Sequence, residues 1–102
     1  MKQKIRSSKE FKRIFDKGKK IIGDFFLVYW ETNENGFHLG QVISKKVGIA
    51  VVRNKIRRRI RYYFSIQKKL PKVNFVVVAK NGITPPNWQE TENDLKQILK
   101  RI

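Results

Sequence analysis

Residues 50–68, AVVRNKIRRRIRYYFSIQK, decide how the rest of the chain is read. At about 100° per residue, Val52, Ile56, Ile60, Tyr63 and Phe64 fall within an arc of roughly 120°. That spacing predicts a helix from about Ala50 to Lys68, buried on one side and stopped by Pro71. Asn54, Arg57, Arg58 and Arg61 fall on the other side, at about 140° to 240° from Val52. Lys55 and Arg59 lie further round, and Arg53 sits at the rim of the apolar stripe. Five of the six cations between positions 53 and 61 are arginine. A guanidinium grips phosphate bidentately and stacks on bases, whereas an ammonium is a point charge. A solvated helix face would interleave glutamates to pair with these arginines, and none is present.

Strand patterns lie on both sides of this helix. Val73 to Lys80 contains FVVVA, which reads as a buried strand. Phe25 to Glu31, FFLVYWE, is aromatic and β-branched and reads as another. Asn33-Glu34-Asn35-Gly36 is a turn signal, so Phe37 to Ser44 is expected to return as the second strand of a hairpin. Lys19 to Ile22 is a further short strand. At the start, Ser7-x-x-Glu10 reads as a capping box for a helix with Phe11, Ile14 and Phe15 on one face. Gly18 is its expected C′ residue. At the end, Gly82 to Pro86 is a loop. Asn87-x-x-Glu90 then caps a last helix whose apolar stripe is Trp88, Leu95, Ile98, Leu99 and Ile102. The pattern describes one α+β domain over residues 1–102, a single sheet with helices over it.

The formal charge is +16, and no Asp or Glu occurs between Glu34 and Glu90. Such a stretch repels itself unless a polyanion supplies counter-charge, so nucleic acid is the expected partner rather than a membrane. The 102 residues suffice for one modest core, and 40% are hydrophobic, so the chain folds. The absence of cysteine excludes a disulfide scaffold and thiolate metal sites, and fits a reducing cytoplasm. No apolar run approaches the ~18 residues of a membrane span. The N-terminal MKQKIRSSKEF is basic and lacks the apolar core of a signal peptide.

A catalytic site made of protein groups is not expected. His38 is the lone histidine, the eight carboxylates are scattered, and Ser44 has no histidine beside it. No phosphate-loop motif and no metal-ligand cluster occurs. Lys45-Lys46-Val47-Gly48 precedes the arginine helix, where two lysines and free backbone N–H groups suit a phosphate. Gly48 serves equally to shape the turn. The aromatics Phe11, Phe15, Phe25, Phe26, Tyr29, Trp30 and Phe37 cluster in the first third of the chain. Most belong to a core. FFLVYW, however, is apolar on both strand faces, and a face left uncovered beside lysines makes a stacking platform for single-stranded bases.

SKKVGIAVVRNKIRRRIR at 44–61 resembles the signature of the bacterial ribonuclease P protein component. IRSSKEFKRIFDKGKK at 5–20 is similar to that family's first helix and turn, FLVYW at 26–30 to its first long strand, and NFVVVAKNGI at 74–83 to its last strand. There are two departures. Ile49 stands where the family usually has Asn, and Lys55 where its Arg-Asn-Arg motif has a second arginine. The resemblance implies an αβββαβα two-layer sandwich with a central mixed sheet, like a ribosomal-protein domain. It also implies a left-handed crossover through the arginine helix, against the general rule. The implied partners are ribonuclease P RNA and precursor tRNA, with the protein a monomer in a 1:1 complex with the RNA. Neither membrane nor DNA is an implied partner. The implied reaction is Mg²⁺-dependent removal of the 5′ leader, with the chemistry in the RNA and no catalytic residue or metal on the protein. By position, Arg53, Asn54, Lys55, Arg57, Arg58 and Arg61 would face the catalytic RNA. Phe11, Phe15 and Tyr29, with Lys45 and Lys46 nearby, would line a central cleft for the single-stranded leader. The alternative is a ribosomal or RNA-chaperone protein, which would not prefer precursor over mature tRNA. A helical DNA-binding regulator fits poorly, because the strand-rich first half leaves no room for a first helix packed beside the arginine helix.

Overall fold

A computed structural model describes residues 3–5 and 7–102; Met1, Lys2 and Arg6 of the basic N-terminus lie outside them. The elements in chain order are β1 (Gln3–Lys4), α1 (Ser8–Lys17), β2 (Lys19–Ile22), β3 (Phe26–Thr32), β4 (His38–Val42), a 3₁₀ turn (Lys45–Val47), α2 (Ala50–Ser65), β5 (Val73–Ala79) and α3 (Trp88–Leu99). The expected αβββαβα order is present, with the two-residue β1 added in front of it. β1 runs parallel to β4, and two polar residues carry no periodicity from which to read it.

The sheet is mixed, in the order β1-β4-β5-β3-β2. The expected hairpin between β3 and β4 does not form. β5 lies between them, parallel to β4 and antiparallel to β3. The reason is burial. VNFVVVA is covered on both faces along nearly its whole length, which only a central strand satisfies. The turn at residues 33–36 is real but spans β5. Asn33 N–H donates to the Lys72 carbonyl at 2.9 Å, and Asn35 N–H donates to Asn33 Oδ1 at 2.8 Å. Gly36 supplies the left-handed conformation the turn needs, at φ 115°.

Alternation along the strands divides the core between the two faces. Phe26, Val28 and Trp30 of β3 join Val73, Phe75 and Val77 of β5 and Leu39 of β4 beneath α2 and α3. On the opposite face Tyr29, Val42, Val76 and Val78 meet Phe11, Ile14 and Phe15 of α1.

The helix ends follow local chemistry. Ser7 accepts from Lys9 N–H at 3.2 Å, a single cap bond rather than the expected reciprocal box. Gly18 ends α1 as expected, but in extended backbone. A Cβ there would strike the carbonyls of Ile14 and Trp30, so close packing explains the glycine. α2 stops at Ser65, three residues short of Lys68, and side chains add to the bonds on its last carbonyls. Ser65 Oγ donates to the Tyr62 carbonyl at 2.7 Å, and Gln67 Nε2 to that of Tyr63 at 3.0 Å. α3 has the full capping box of Asn87 and Glu90. Its buried Asp94 accepts from the backbone N–H groups of Asp24, Phe25 and Phe26 at 2.8–3.0 Å, tying α3 to the start of β3.

Candidate nucleic-acid interface

α2 organises the surface. Ile56, Ile60, Tyr63 and Phe64 are buried, and burying a side chain of this size contributes about 1.5–3 kcal/mol. Like charges spaced i, i+4 cost only about 0.2–0.5 kcal/mol per pair. The buried side therefore holds the helix, and the outer side can carry cations.

That outer side has a crest and two flanks. Asn54 and Arg58 are exposed at the crest, and Asn54 Oδ1 accepts from Arg57 Nη1 at 3.0 Å. On one flank Arg57 and Arg61 join Phe11 of α1, Gly40 and Gln41 of β4, and Phe64 around a cavity of about 470 Å³. On the other flank Lys55, Arg58, Arg59 and Tyr62 meet Trp88 of α3 around a hollow of about 310 Å³. Arg59 Nη1 donates to the Pro86 carbonyl at 2.9 Å, fixing the loop before α3. Arg53 is half-buried at the rim, where the spacing placed it. Among the described residues, the ion pair is Arg13 with Glu31, and no cation of α2 is paired with a carboxylate.

The second feature is a row of rings on the α1 face. Ile14 is fully buried and anchors α1, leaving Phe11 and Phe15 half-exposed on either side. The Phe11 and Phe15 centroids are 6.3 Å apart, and Phe15 meets Tyr29 edge-on at 4.9 Å. Lys20 Nζ stands 5.7 Å from the Tyr29 ring centroid. Val42, Val76 and Val78 form the floor. Lys45 and Lys46 are exposed on the 3₁₀ turn, three and four residues beyond Val42 in the chain. The three aromatics singled out in the sequence are thus brought together. Phe11 also reaches the cavity of Arg57 and Arg61, so the row and the α2 flank share a border.

A polar chain sets the position of α1. Arg13 grips the Glu31 carboxylate with two bonds, at 2.6 and 3.3 Å. Asn74 Nδ2 donates to Glu31 at 2.7 Å, and Asn33 Nδ2 donates to Asn74 Oδ1 at 2.8 Å. His38 Nδ1 lies 3.1 Å from Asn33 Nδ2, which places the lone histidine within this chain. The hydrogen bond from Arg13 holds the Glu31 carboxyl below the usual carboxylate range, helped by Asn74 and opposed by burial. The sequence reading missed this chain, as it missed the pairing of Tyr62 with Trp88. The signal for the second was available in the i, i+3, i+4, i+7 spacing of Lys55, Arg58, Arg59 and Tyr62.

These features define a class: a small, basic α+β domain in which a cationic crossover helix borders a row of aromatic rings on a mixed sheet. The sequence profile of the Ribonuclease P family matches residues 1–102, and the chain belongs to that family. It is 39% identical over 99 residues to the ribonuclease P protein component of Streptococcus agalactiae serotype III (strain NEM316), covering 95% of this chain and 91% of the relative. Identity to that of Streptococcus pneumoniae (strain Hungary19A-6) is 38% over 100 residues, covering 95% and 81%. The fold matches the solved RNase P protein of Staphylococcus aureus with a TM-score of 0.88 at 34% identity, covering 96% and 93% of the two chains. For the RNase P protein of Thermotoga maritima the TM-score is 0.87 at 29% identity, covering 98% and 97%.

Proposed function

We propose that this chain is the accessory protein of a ribonuclease P holoenzyme, which binds the catalytic RNA and the 5′ leader of precursor tRNA. The crest of α2, with Asn54, Lys55 and Arg58 and with Arg53 at its rim, docks on the RNA. The row of Phe11, Phe15 and Tyr29 takes the unpaired leader by stacking, with Lys45 and Lys46 beyond its floor supplying charge. Arg57 and Arg61, which the resemblance assigns to the catalytic RNA, border Phe11 and hold leader phosphates at that end. The single observation that carries this reading is the absence of any carboxylate paired with the cations of α2 among the described residues. Counter-charge must come from a partner, and arginine suits phosphate.

The protein's contribution is binding and orientation, and leader hydrolysis belongs to the RNA with Mg²⁺. Among the described residues, no three His, Cys, Asp or Glu side chains converge to hold a metal ion. No helix among them is long and apolar enough to cross a membrane. The reading is tested by reconstitution with the cognate RNA at low Mg²⁺. Leader removal should rise on adding protein, and no gain would sink it. Neutralising roughly 5 phosphates predicts that log K falls with log salt at a slope of about −3.5 for single strands. Arg58→Ala should flatten that slope by about 0.7. An equal slope removes Arg58 from the contact.

A further inference from the structure

The α3-facing flank of α2 has no complete role in the function above. Lys55, Arg58, Arg59 and Tyr62 make one stripe of the helix and, with Trp88, line one hollow: two aromatic rings and three cations. Tyr62 is 57% exposed, whereas the adjacent Tyr63 and Phe64 are buried. Its ring centroid lies 5.4 Å from that of Trp88, with the planes at 59°. The pair is held from beneath. Trp88 is the first residue of α3, fixed by the capping box, and Arg59 grips the carbonyl of Pro86 two residues earlier. The nearby carboxylate of Glu90 is engaged in that cap, accepting from Asn87 N–H at 3.0 Å.

We propose that Tyr62 and Trp88 form a stacking platform for an unpaired nucleobase of the RNA docked on α2, with Lys55 and Arg58 taking its flanking phosphates. The proposal rests on the docking reading above. An exposed tyrosine ring beside a half-buried tryptophan, rimmed by cations, matches a base attached to phosphates, since every base has a π-face and every link a negative charge. An apolar protein surface would instead bury three cations without counter-charge. The platform lies on the opposite side of the sheet from Phe15 and Tyr29, so it serves the catalytic RNA and not the leader.

The test is equilibrium binding to the cognate ribonuclease P RNA, with leader oligonucleotide titrated in parallel. Tyr62→Leu should weaken RNA binding roughly five-fold or more, the lower end of what one stacked base contributes. The salt slope should not change, since no cation is lost. Tyr62→Phe should restore affinity, and leader binding should be unaffected by either change. RNA should also quench Trp88 emission, against a constant background from Trp30, which is only 8% exposed. If Tyr62→Leu binds RNA like the parent while Arg58→Ala is weakened, the platform is wrong and docking stands. If neither is weakened, both fall. Self-association lost in Tyr62→Leu with RNA affinity intact would mark a protein contact and overturn the platform.

Discussion

Ile49 occupies the N-cap of α2 with its side chain 71% exposed and no hydrogen bond to the first turn. Asparagine there would accept from a free N–H of that turn. Ile49→Asn should therefore stabilise the fold by about 1 kcal/mol, read as a raised denaturation midpoint. An unchanged or lowered midpoint would show that the exposed isoleucine has a contact of its own. Gly40 shows the opposite economy of space. A Cβ there would lie 2.9 Å from the Phe11 ring and 3.4 Å from Ile5. The ring is the far end of a half-exposed side chain, so it gives way before the strand does. Gly40→Ala should cost only about 1 kcal/mol but swing Phe11 out of line, lowering affinity for a leader oligonucleotide several-fold. Titration of a labelled leader checks this, and parental affinity would remove Phe11 from the contact.

At the level of elements, α1 carries two of the three rings and is held partly by Ile14 and partly by the Arg13–Glu31 pair. Glu31 has its carboxyl pKa depressed in the fold, mainly by the bond from Arg13. The pair's contribution is therefore complete above the ordinary carboxylate range and fades as pH falls through the depressed value. Arg13 stands in solvent, which screens the pair, so the contribution is small. Glu31→Gln should lower the melting temperature slightly at neutral pH, with the difference from the parent closing in acid. A difference that persists or widens in acid would contradict this account. α2 was legible from its period and α3 from its period and its capping box, because both are local signals. The place of β5 was not read correctly: its double-sided burial was visible, but adjacency in sequence favoured a β3–β4 hairpin. The polar chain was illegible because its partners are 18, 43 and 41 residues apart. No local pattern joins Arg13, Glu31, Asn74 and Asn33. The aromatic row was visible only as residue types on two amphipathic segments, and its geometry required the sheet to set Tyr29 against Phe15.

Across the whole molecule, charge and aromatic surface are arranged around one helix. The molecule measures 35 × 29 × 22 Å, so the ring row, the α2 crest and the Tyr62–Trp88 pair lie close enough to engage one RNA assembly together. Its +16 charge draws any RNA at low salt, and bulk charge alone does not distinguish precursor from mature tRNA. On the proposed reading, the distinction comes from the unpaired leader in the ring row. The most direct measurement is the affinity of the reconstituted holoenzyme for precursor and mature tRNA, with parent protein and with Phe15→Ala. The parent should bind precursor more tightly than mature tRNA, and Phe15→Ala should shrink that gap while leaving mature tRNA affinity and the salt slope unchanged. Equal affinities for the two tRNAs with the parent protein, or a gap untouched by Phe15→Ala, would contradict the account.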